Sequence, residues 1–154
     1  MFLTPGQLID VIRLTPLVSI DLIVRDPQGR VLAGLRTNRP AQDCWFVPGG
    51  RICKDERLAD AFQRITRTEL GVALEISQAH FRGVYEHLYS DNFAGVPDLG
   101  THYIVLAYEI QLDAPLPELP ADQHEAFRWF DVDELLATPG VHENTKAYFP
   151  QGKG

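Results

Sequence analysis

The sequence lacks several features that would place it in other protein classes. It has only two cysteines, Cys44 and Cys53, without the paired spacing of a zinc site, so we expect two reduced thiols. Basic residues are few, because 14 Lys and Arg stand against 21 Asp and Glu and the net charge is -7. Since a nucleic-acid partner requires clustered Lys and Arg, this balance argues against binding to DNA or RNA. A small anionic substrate is compatible with it if positive charge is focused in a cleft.

Long hydrophobic runs are also missing. The apolar residues near the N-terminus are interrupted by Gln7, Asp10 and Arg13, which is not typical of a signal peptide. We therefore expect a cytoplasmic protein without a membrane partner. Of the 154 residues, 45% are hydrophobic and 23% are charged, which is the balance of an ordinary globular protein. This length suits one packed core, so we predict a single domain over residues 1–154.

The order of the predicted elements favours a mixed sheet between helices. Thr4 and Gln7 have the spacing of a capping box at a helix start, and Gly71 stands where a left-handed helix cap is expected. The predicted strands are residues 17–25, 30–36, 81–89, 102–112 and 127–130, and the main predicted helix is residues 56–70. Because strands and helices are intermingled, we predict an α/β protein of the α+β type with a mixed sheet.

The most informative segment runs from Gly50 to Val72. Five residues separate Gly50 from Glu56, and seven separate Glu56 from Arg64. Glu69 follows just before Gly71, so the segment has the order loop, helix, tight turn. This pattern resembles the signature of the Nudix hydrolases, whose loop–helix–loop motif holds magnesium against the diphosphate of a nucleoside-diphosphate derivative. The resemblance implies a Nudix-type α/β/α sandwich, with Glu56 and Arg64 forming an ion pair that braces the motif.

Two acids of the Nudix pattern are replaced here. Ile65 and Thr68 stand at positions where that pattern has glutamate. Magnesium takes oxygen ligands and usually keeps several waters, so one carboxylate together with substrate phosphate oxygens can be sufficient. Ile65 also continues the apolar face that Leu58, Ala61 and Phe62 form at helical spacing, so we expect it in the core rather than at a metal. The loss argues against several metal ions bridging an attack on phosphorus.

Six further segments carry a second resemblance. They are residues 15–19, 37–41, 45–51, 91–93, 101–103 and 122–124. In this order they are similar to the GDP-mannose mannosyl hydrolases, the branch of the Nudix family with the shortened motif. The resemblance implies hydrolysis of GDP-mannose, and of GDP-glucose, at the anomeric carbon with inversion, so that GDP leaves as a unit. It also implies one Mg²⁺ ion per site, with Mn²⁺ as a substitute, and a homodimer.

The same resemblance suggests the residues of the metal site and the base. Glu69, the backbone carbonyl of Gly49 and the side chain of Gln123 would hold the ion. His124 would activate water, since a neutral imidazole with an ordinary pKa of ~6.5 accepts a proton near neutral pH. Without the resemblance, His124 would be read as an exposed loop histidine and Glu69 as an ordinary acid near a helix end.

Other residues are expected to contact the substrate. Arg36 and Arg51 would bind the diphosphate, because guanidinium groups match phosphate oxygens in pairs. Asp21 lies in an otherwise apolar strand, and a buried acid requires a partner, so we expect it against a cation or a sugar hydroxyl. The resemblance implies that it lies in the site. By the same resemblance, Tyr103 and His87 would contact the diphosphate or sugar, although both could instead be core aromatics.

The homodimer implied by the resemblance brings further residues into the substrate site. Phe2 and Leu3 in the N-terminal segment, or Asp91 and Asn92 in the loop before the last long strand, would complete the partner's site. Two other functions compete with carbon-centred hydrolysis. One is an ordinary Nudix pyrophosphohydrolase that attacks phosphorus, and the other is a nucleotide-sugar binding module without catalysis.

Overall fold

A computed structural model describes residues 2–116, 118–120 and 124–150 of the chain, with the backbone alone at residues 124 and 125. In chain order the elements are α1 (Pro5–Leu14), β1 (Leu17–Arg25), β2 (Val31–Arg36), β3 (Trp45–Phe46), β4 (Gly49–Arg51), α2 (Leu58–Leu70), a 3-10 helix (Ile76–Gln78), β5 (His80–Tyr89), β6 (Thr101–Gln111), β7 (His124–Phe130), α3 (Val132–Ala137) and α4 (Glu143–Lys146). The predicted strands and the main predicted helix are all present, with ends that differ by a few residues.

The strands form one mixed sheet, as the sequence predicts. Its order is β3-β2-β1-β6-β5, with β4 also pairing with β1 and β7 with β2. The pairing of β1 with β6 is parallel, and the other pairings are antiparallel. Helix α2 packs on one face, whereas α3 and the residues after it pack on the other. A mixed sheet flanked by helices is the arrangement that the sequence predicts.

Strand β1 is at the centre of the sheet and is buried on both faces. Ile20, Leu22 and Val24 point toward α2 and have no solvent exposure. The alternate residues Asp21 and Ile23 point toward the C-terminal layer and are also buried. Successive side chains of a strand lie on opposite faces, so β1 contributes one dry apolar row and one row that contains a carboxylate.

Helix α2 carries the motif segment and ends as predicted. Gly71 caps it with φ of 78°, a left-handed conformation that glycine adopts at no steric cost. The helix begins at Leu58 rather than at Glu56, whose side chain accepts a hydrogen bond from the Cys53 amide in the preceding loop. The prediction that Leu58 joins the apolar face is wrong, since its exposed fraction is 44%. It occupies the first helical position, outside the cluster that Phe62 forms with the sheet.

Helix α1 begins with the predicted capping box. The Thr4 hydroxyl accepts a hydrogen bond from the Gln7 amide at 3.2 Å, and the Gln7 side chain accepts one from the Thr4 amide at 3.0 Å. The helix packs Ile12 against Leu17 and Leu99. Across residues 2–116, 118–120 and 124–150, no helix has the length and apolar character needed to cross a bilayer.

Candidate functional site

A cleft of about 470 Å³ lies beside the motif helix. It receives side chains from β1, β2, β4, α2, β5 and β6, and from the loop after β2. Most of the residues predicted for the site line it, namely Phe2, Asp21, Arg36, Gly49, Arg51, Arg64, Glu69, His87 and Tyr103. The sheet therefore assembles, from positions far apart in sequence, the set of residues that the motifs single out.

The cleft concentrates positive charge on a chain whose net charge is -7. Arg36, Arg39, Arg51 and Arg64 all line it. Arg36 is held by a hydrogen bond of 3.0 Å from its Nε atom to the carbonyl oxygen of Pro40. Because guanidinium groups keep their charge at all relevant pH values, the cleft is suited to an anionic small molecule.

Three of the residues predicted to bind substrate lie outside the cleft lining. Leu3 and Asp91 do not reach it in this chain. Asn92 is fully buried, and its amide nitrogen donates to the carbonyl oxygens of Val96 and Leu99 at 2.9 and 2.8 Å. Its amide oxygen accepts from two backbone amides of the same loop. Asn92 therefore shapes the loop of residues 90–100, and its side chain is already occupied.

Two central predictions fall at the limit of the described residues. Gln123 lies outside them, as does the side chain of His124. The backbone of His124 begins strand β7 and pairs with Arg36 of β2, next to an irregularity in register between Gly34 and Arg36. The chain thus brings residue 124 beside a strand that lines the cleft.

Glu56 and Arg64 form the ion pair expected of the motif. Arg64 Nε donates to Glu56 Oε2 at 2.8 Å, and Arg64 Nη2 donates to Glu56 Oε1 at 2.9 Å. The same guanidinium donates to the carbonyl oxygen of Arg51 at 2.7 Å, while Glu56 accepts from the Cys53 amide at 3.0 Å. The hydrogen bond from Arg64 lowers the pKa of Glu56 to about 2. This pair ties the motif loop to its helix.

Glu69 and Gly49 meet at the other end of the motif. The Gly49 amide donates to Glu69 Oε1 at 3.3 Å, and Glu69 is 8% exposed. A Cβ atom at position 49 would lie 2.5 Å from both the Oδ1 atom of Asp21 and the carbonyl oxygen of Ile20, so only glycine fits there. Glu69 also raises the pKa of Asp21 through its charge. Two carboxylates therefore approach the backbone at position 49.

This set of donors fits a hard divalent cation. Within the part of the chain that the structure describes, no three His, Cys, Asp or Glu side chains form a metal cluster. A cation at Gly49 and Glu69 would have few side-chain ligands and would complete its shell with backbone oxygen, water and substrate. Mg²⁺ is commonly held in this way, by one or two carboxylates and phosphate oxygens.

Asp21 has a direct partner that the sequence analysis did not identify. The Tyr148 hydroxyl donates to Asp21 Oδ2 and lies 3.4 Å from His87 Nε2. We expected a cation or a sugar hydroxyl against Asp21, and Arg36 acts on it only through its charge. Burial raises the pKa of Asp21 to about 7, against the opposing effects of the Tyr148 hydrogen bond and the Arg36 charge. The only sequence signal for a partner was the requirement that a buried acid be paired.

His87 and Tyr103 line the same part of the cleft. His87 is 4% exposed, and burial, with a smaller effect of His142, lowers its pKa to about 4. Its imidazole is therefore neutral at neutral pH. Burial raises the pKa of Tyr103, whereas the charges of Arg51 and Arg36 oppose that rise. The charges of Arg36 and Arg51, which are predicted to bind a diphosphate, therefore both act on the Tyr103 hydroxyl.

Comparison with known proteins gives the family. Residues 15–150 match the model of the NUDIX domain. The low-salt glycan biosynthesis protein Agl8 of Haloferax volcanii is 40% identical over 117 residues, which cover 75% of this chain and 71% of that protein. The structure of the MutT NUDIX hydrolase from Burkholderia pseudomallei has 28% identity and a TM-score of 0.70, covering 90% of this chain and 99% of that one.

A third likeness concerns the fold alone. The NUDIX domain of Shewanella oneidensis NrtR, solved with ADP ribose, is 18% identical with a TM-score of 0.64, and covers 87% of this chain and 86% of that one. The family model extends over the strands and the helix that build the cleft. From this match and the braced motif at Glu56 and Arg64, the chain belongs to the Nudix hydrolases.

Proposed function

We propose that the protein hydrolyses GDP-mannose, and also GDP-glucose, to GDP and free hexose in the cytoplasm. Water attacks the anomeric carbon with inversion, and GDP departs as a unit. Nudix hydrolases act on small nucleotide derivatives and generally use divalent metals such as Mg²⁺ or Mn²⁺. The proposal narrows that family activity to one substrate class and one bond.

The observation that carries this proposal is the shortage of acids along the motif helix. Ile65 is 1% exposed and belongs to the core cluster under α2. Its Cγ1 atom would lie 3.1 Å from a Cβ atom at position 50, so the apolar side chain fills the place beside the motif loop. Thr68 lines the cleft with a hydroxyl instead of a carboxylate. Such a site is poorly equipped to hold several metal ions around an attack on phosphorus.

Attack at carbon makes smaller demands on the protein. It requires a base for the water and stabilisation of the leaving diphosphate. GDP whose charge is neutralised is a good leaving group. The carboxylic acid that protonates the leaving group in most glycoside hydrolases is therefore not required here. Arg36 and Arg51, which both line the cleft, would bind the diphosphate and compensate the charge that develops on it.

One Mg²⁺ ion is proposed at Glu69, with the carbonyl oxygen of Gly49 and the side chain of Gln123 as further ligands, and Mn²⁺ as a substitute. When bound, the ion supplies positive charge to the diphosphate. The 3.3 Å contact between the Gly49 amide and Glu69 supports the proximity of the first two donors.

His124 is proposed as the base. Its backbone pairs with that of Arg36, whose side chain lines the cleft, and this pairing supports a position near the reacting carbon. Asp21 is proposed to act beside it, with His87 and Tyr103 contacting the sugar or diphosphate. A homodimer is part of the proposal, in which Phe2 and Leu3, or the loop that carries Asp91 and Asn92, complete the partner's site. Phe2 is 74% exposed, and its ring centroid lies 5.8 Å from the Arg64 guanidinium carbon.

The name of one relative supports a sugar substrate. Agl8 of Haloferax volcanii is described as a glycan biosynthesis protein, and it shares 40% identity with this chain. The second candidate function is an ordinary pyrophosphohydrolase that releases GMP and a sugar phosphate, and the likeness to the MutT hydrolase favours it. A binding module without catalysis is the third.

Hydrolysis in ¹⁸O-labelled water distinguishes these functions. The protein is incubated with GDP-mannose and Mg²⁺, and the products are identified by mass spectrometry. We expect GDP and mannose, with the label in the sugar. Label in phosphate would establish the pyrophosphohydrolase, and no turnover with retained binding of GDP-mannose would establish the binding module. Magnesium removal by EDTA should abolish GDP release, and its return should restore it.

A further inference from the structure

The C-terminal segment, residues 138–149, lies behind the cleft and is bonded to strands that carry site residues. The backbone of Trp45 in β3 donates to the Gly140 carbonyl oxygen at 2.8 Å and accepts from the His142 amide at 3.1 Å. The Val47 amide donates to the Thr145 hydroxyl at 3.4 Å. These contacts fix the segment against the sheet, so a side chain near its end has a defined position relative to the cleft.

Tyr148 is the residue of this segment that reaches the site. Its exposed fraction is 8%, and its ring packs edge-on against Tyr85, with 4.7 Å between ring centroids. Its hydroxyl is within hydrogen-bonding distance of Asp21 Oδ2 and 3.4 Å from His87 Nε2. Tyr148 itself does not line the cleft, whereas Asp21 and His87 do. The Tyr148 hydroxyl thus contacts two residues of the cleft without lining the cleft itself.

The hydrogen bond divides the two oxygens of Asp21 between different surroundings. Oδ2 accepts from Tyr148. Oδ1 lies against Gly49, because a Cβ atom there would be 2.5 Å from it. The terminal torsion of an aspartate is broad and roughly two-fold, so nothing within the side chain itself selects one orientation. The tyrosine hydroxyl provides that selection.

We propose that Tyr148 is a positioning residue for Asp21, which holds the carboxylate so that Oδ1 faces the cleft beside Gly49 and Glu69. The inference rests on the proposed function for the role of Asp21 in turnover, but the orientation itself does not. Reacting groups must be held close to their productive geometry, and a misplacement of about 1 Å can cost ~100-fold in rate. Tyr148 therefore acts through Asp21 and does not contact the substrate.

The test compares Y148F with Y85F and D21N. Phenylalanine retains the ring of Tyr148 and removes only the hydroxyl, while Y85F removes a hydroxyl from the ring packed against it. We expect kcat for GDP release to fall about 10- to 100-fold in Y148F, with KM changed less than about threefold. Y85F should keep the wild-type kcat. The double variant Y148F/D21N should be no slower than D21N alone, because both changes disable the same carboxylate.

A second measurement does not depend on activity. Crystal structures of wild-type protein and Y148F should show the Asp21 carboxylate rotated away from its wild-type orientation in the variant. An unchanged Asp21 in Y148F would overturn the inference, as would wild-type kcat in Y148F or additive losses in the double variant. If wild-type protein releases no GDP, the proposed function fails, and the orientation of Asp21 in the two structures still decides the inference.

Discussion

The two faces of strand β1 differ in kind although both are buried. Toward α2, Ile20, Leu22 and Val24 form an unbroken apolar row with Phe62. Toward the C-terminal layer, Asp21 occupies the corresponding row and is bonded to Tyr148. One strand thus provides both the stability of the core and an ionisable group for the cleft.

The two faces of β1 are expected to contribute differently to stability. Burial of an apolar side chain contributes about 1.5–3 kcal/mol, whereas a buried carboxylate costs free energy unless it is bonded or protonated. The Tyr148 hydroxyl and the raised pKa of Asp21 reduce that cost. We therefore expect substitutions on the cleft side to change activity most, and substitutions on the α2 side to change stability most.

The largest effect on activity should follow from His124→Gln. Loss of the base should lower turnover of GDP-mannose by about 10²- to 10⁴-fold, the usual contribution of a general base. Steady-state GDP release measures it. His80→Gln, an exposed histidine at the start of β5, is the control and should retain wild-type turnover. Similar turnover in both variants would remove His124 from the mechanism.

On the α2 face the largest effect should be on stability. Phe62→Ala removes a fully buried ring and should lower the free energy of unfolding by about 3–5 kcal/mol. Urea denaturation measures it. Leu58→Ala, on the same helix but 44% exposed, should cost less than about 1 kcal/mol. Equal losses in the two variants would show that Leu58 is packed in solution.

The pH dependence of stability should reveal the buried imidazole. The pKa of His87 is about 4 in the folded protein, against an ordinary value of 6.5, so the unfolded chain binds more protons between these values. Its contribution to stability is therefore fully present above pH 6.5 and is lost as pH falls toward 4. A shift of this size corresponds to about 3 kcal/mol.

The wild-type profile alone would conceal this effect. The raised pKa of Asp21 gives the opposite slope, because its stabilising protonation is lost as pH rises from 3.8 to about 7. The measurement is therefore the difference in unfolding free energy between wild-type protein and His87→Leu, in EDTA, from pH 7 to pH 4. The wild-type advantage should shrink by about 3 kcal/mol. A constant difference would mean that His87 does not titrate in this way.

The smallest effect on stability should come from loss of the ion pair between Glu56 and Arg64. Glu56→Gln breaks the ion pair with Arg64 and should lower the free energy of unfolding by about 1–3 kcal/mol at pH 7. The folded pKa of Glu56 is about 2, so its contribution is present above 4.5 and is lost as pH falls through 2. Asp55→Asn, in an exposed pair with Lys54, is the control and should have no measurable effect.

Much of the fold was readable from local patterns. The capping box of α1, the span of β1 and the glycine after α2 each depend on neighbouring residues, so they were predicted without tertiary information. Leu58 was misassigned because helical spacing shows which residues share a face, but not how far the core extends beneath it.

The candidate site was predictable mainly through resemblance. The motif residues Glu56, Arg64 and Glu69 are close in sequence, and the ion pair of the first two is present. The partner of Asp21 was missed because Tyr148 is 127 positions away and carries no distinguishing pattern. Similarly, no pattern of neighbouring residues indicates that the Asn92 side-chain amide forms hydrogen bonds within its own loop.

The sequence by itself determined the family, the order of the elements and the loss of acids at positions 65 and 68, because these follow from residue types at short spacing. The tertiary structure alone decided which distant groups meet. It brought the Tyr148 hydroxyl into hydrogen-bonding contact with Asp21, and it placed the backbone of Gly49 close to the same carboxylate. The physical reason is that side-chain pairing across a sheet depends on strand order and register, which short patterns do not encode.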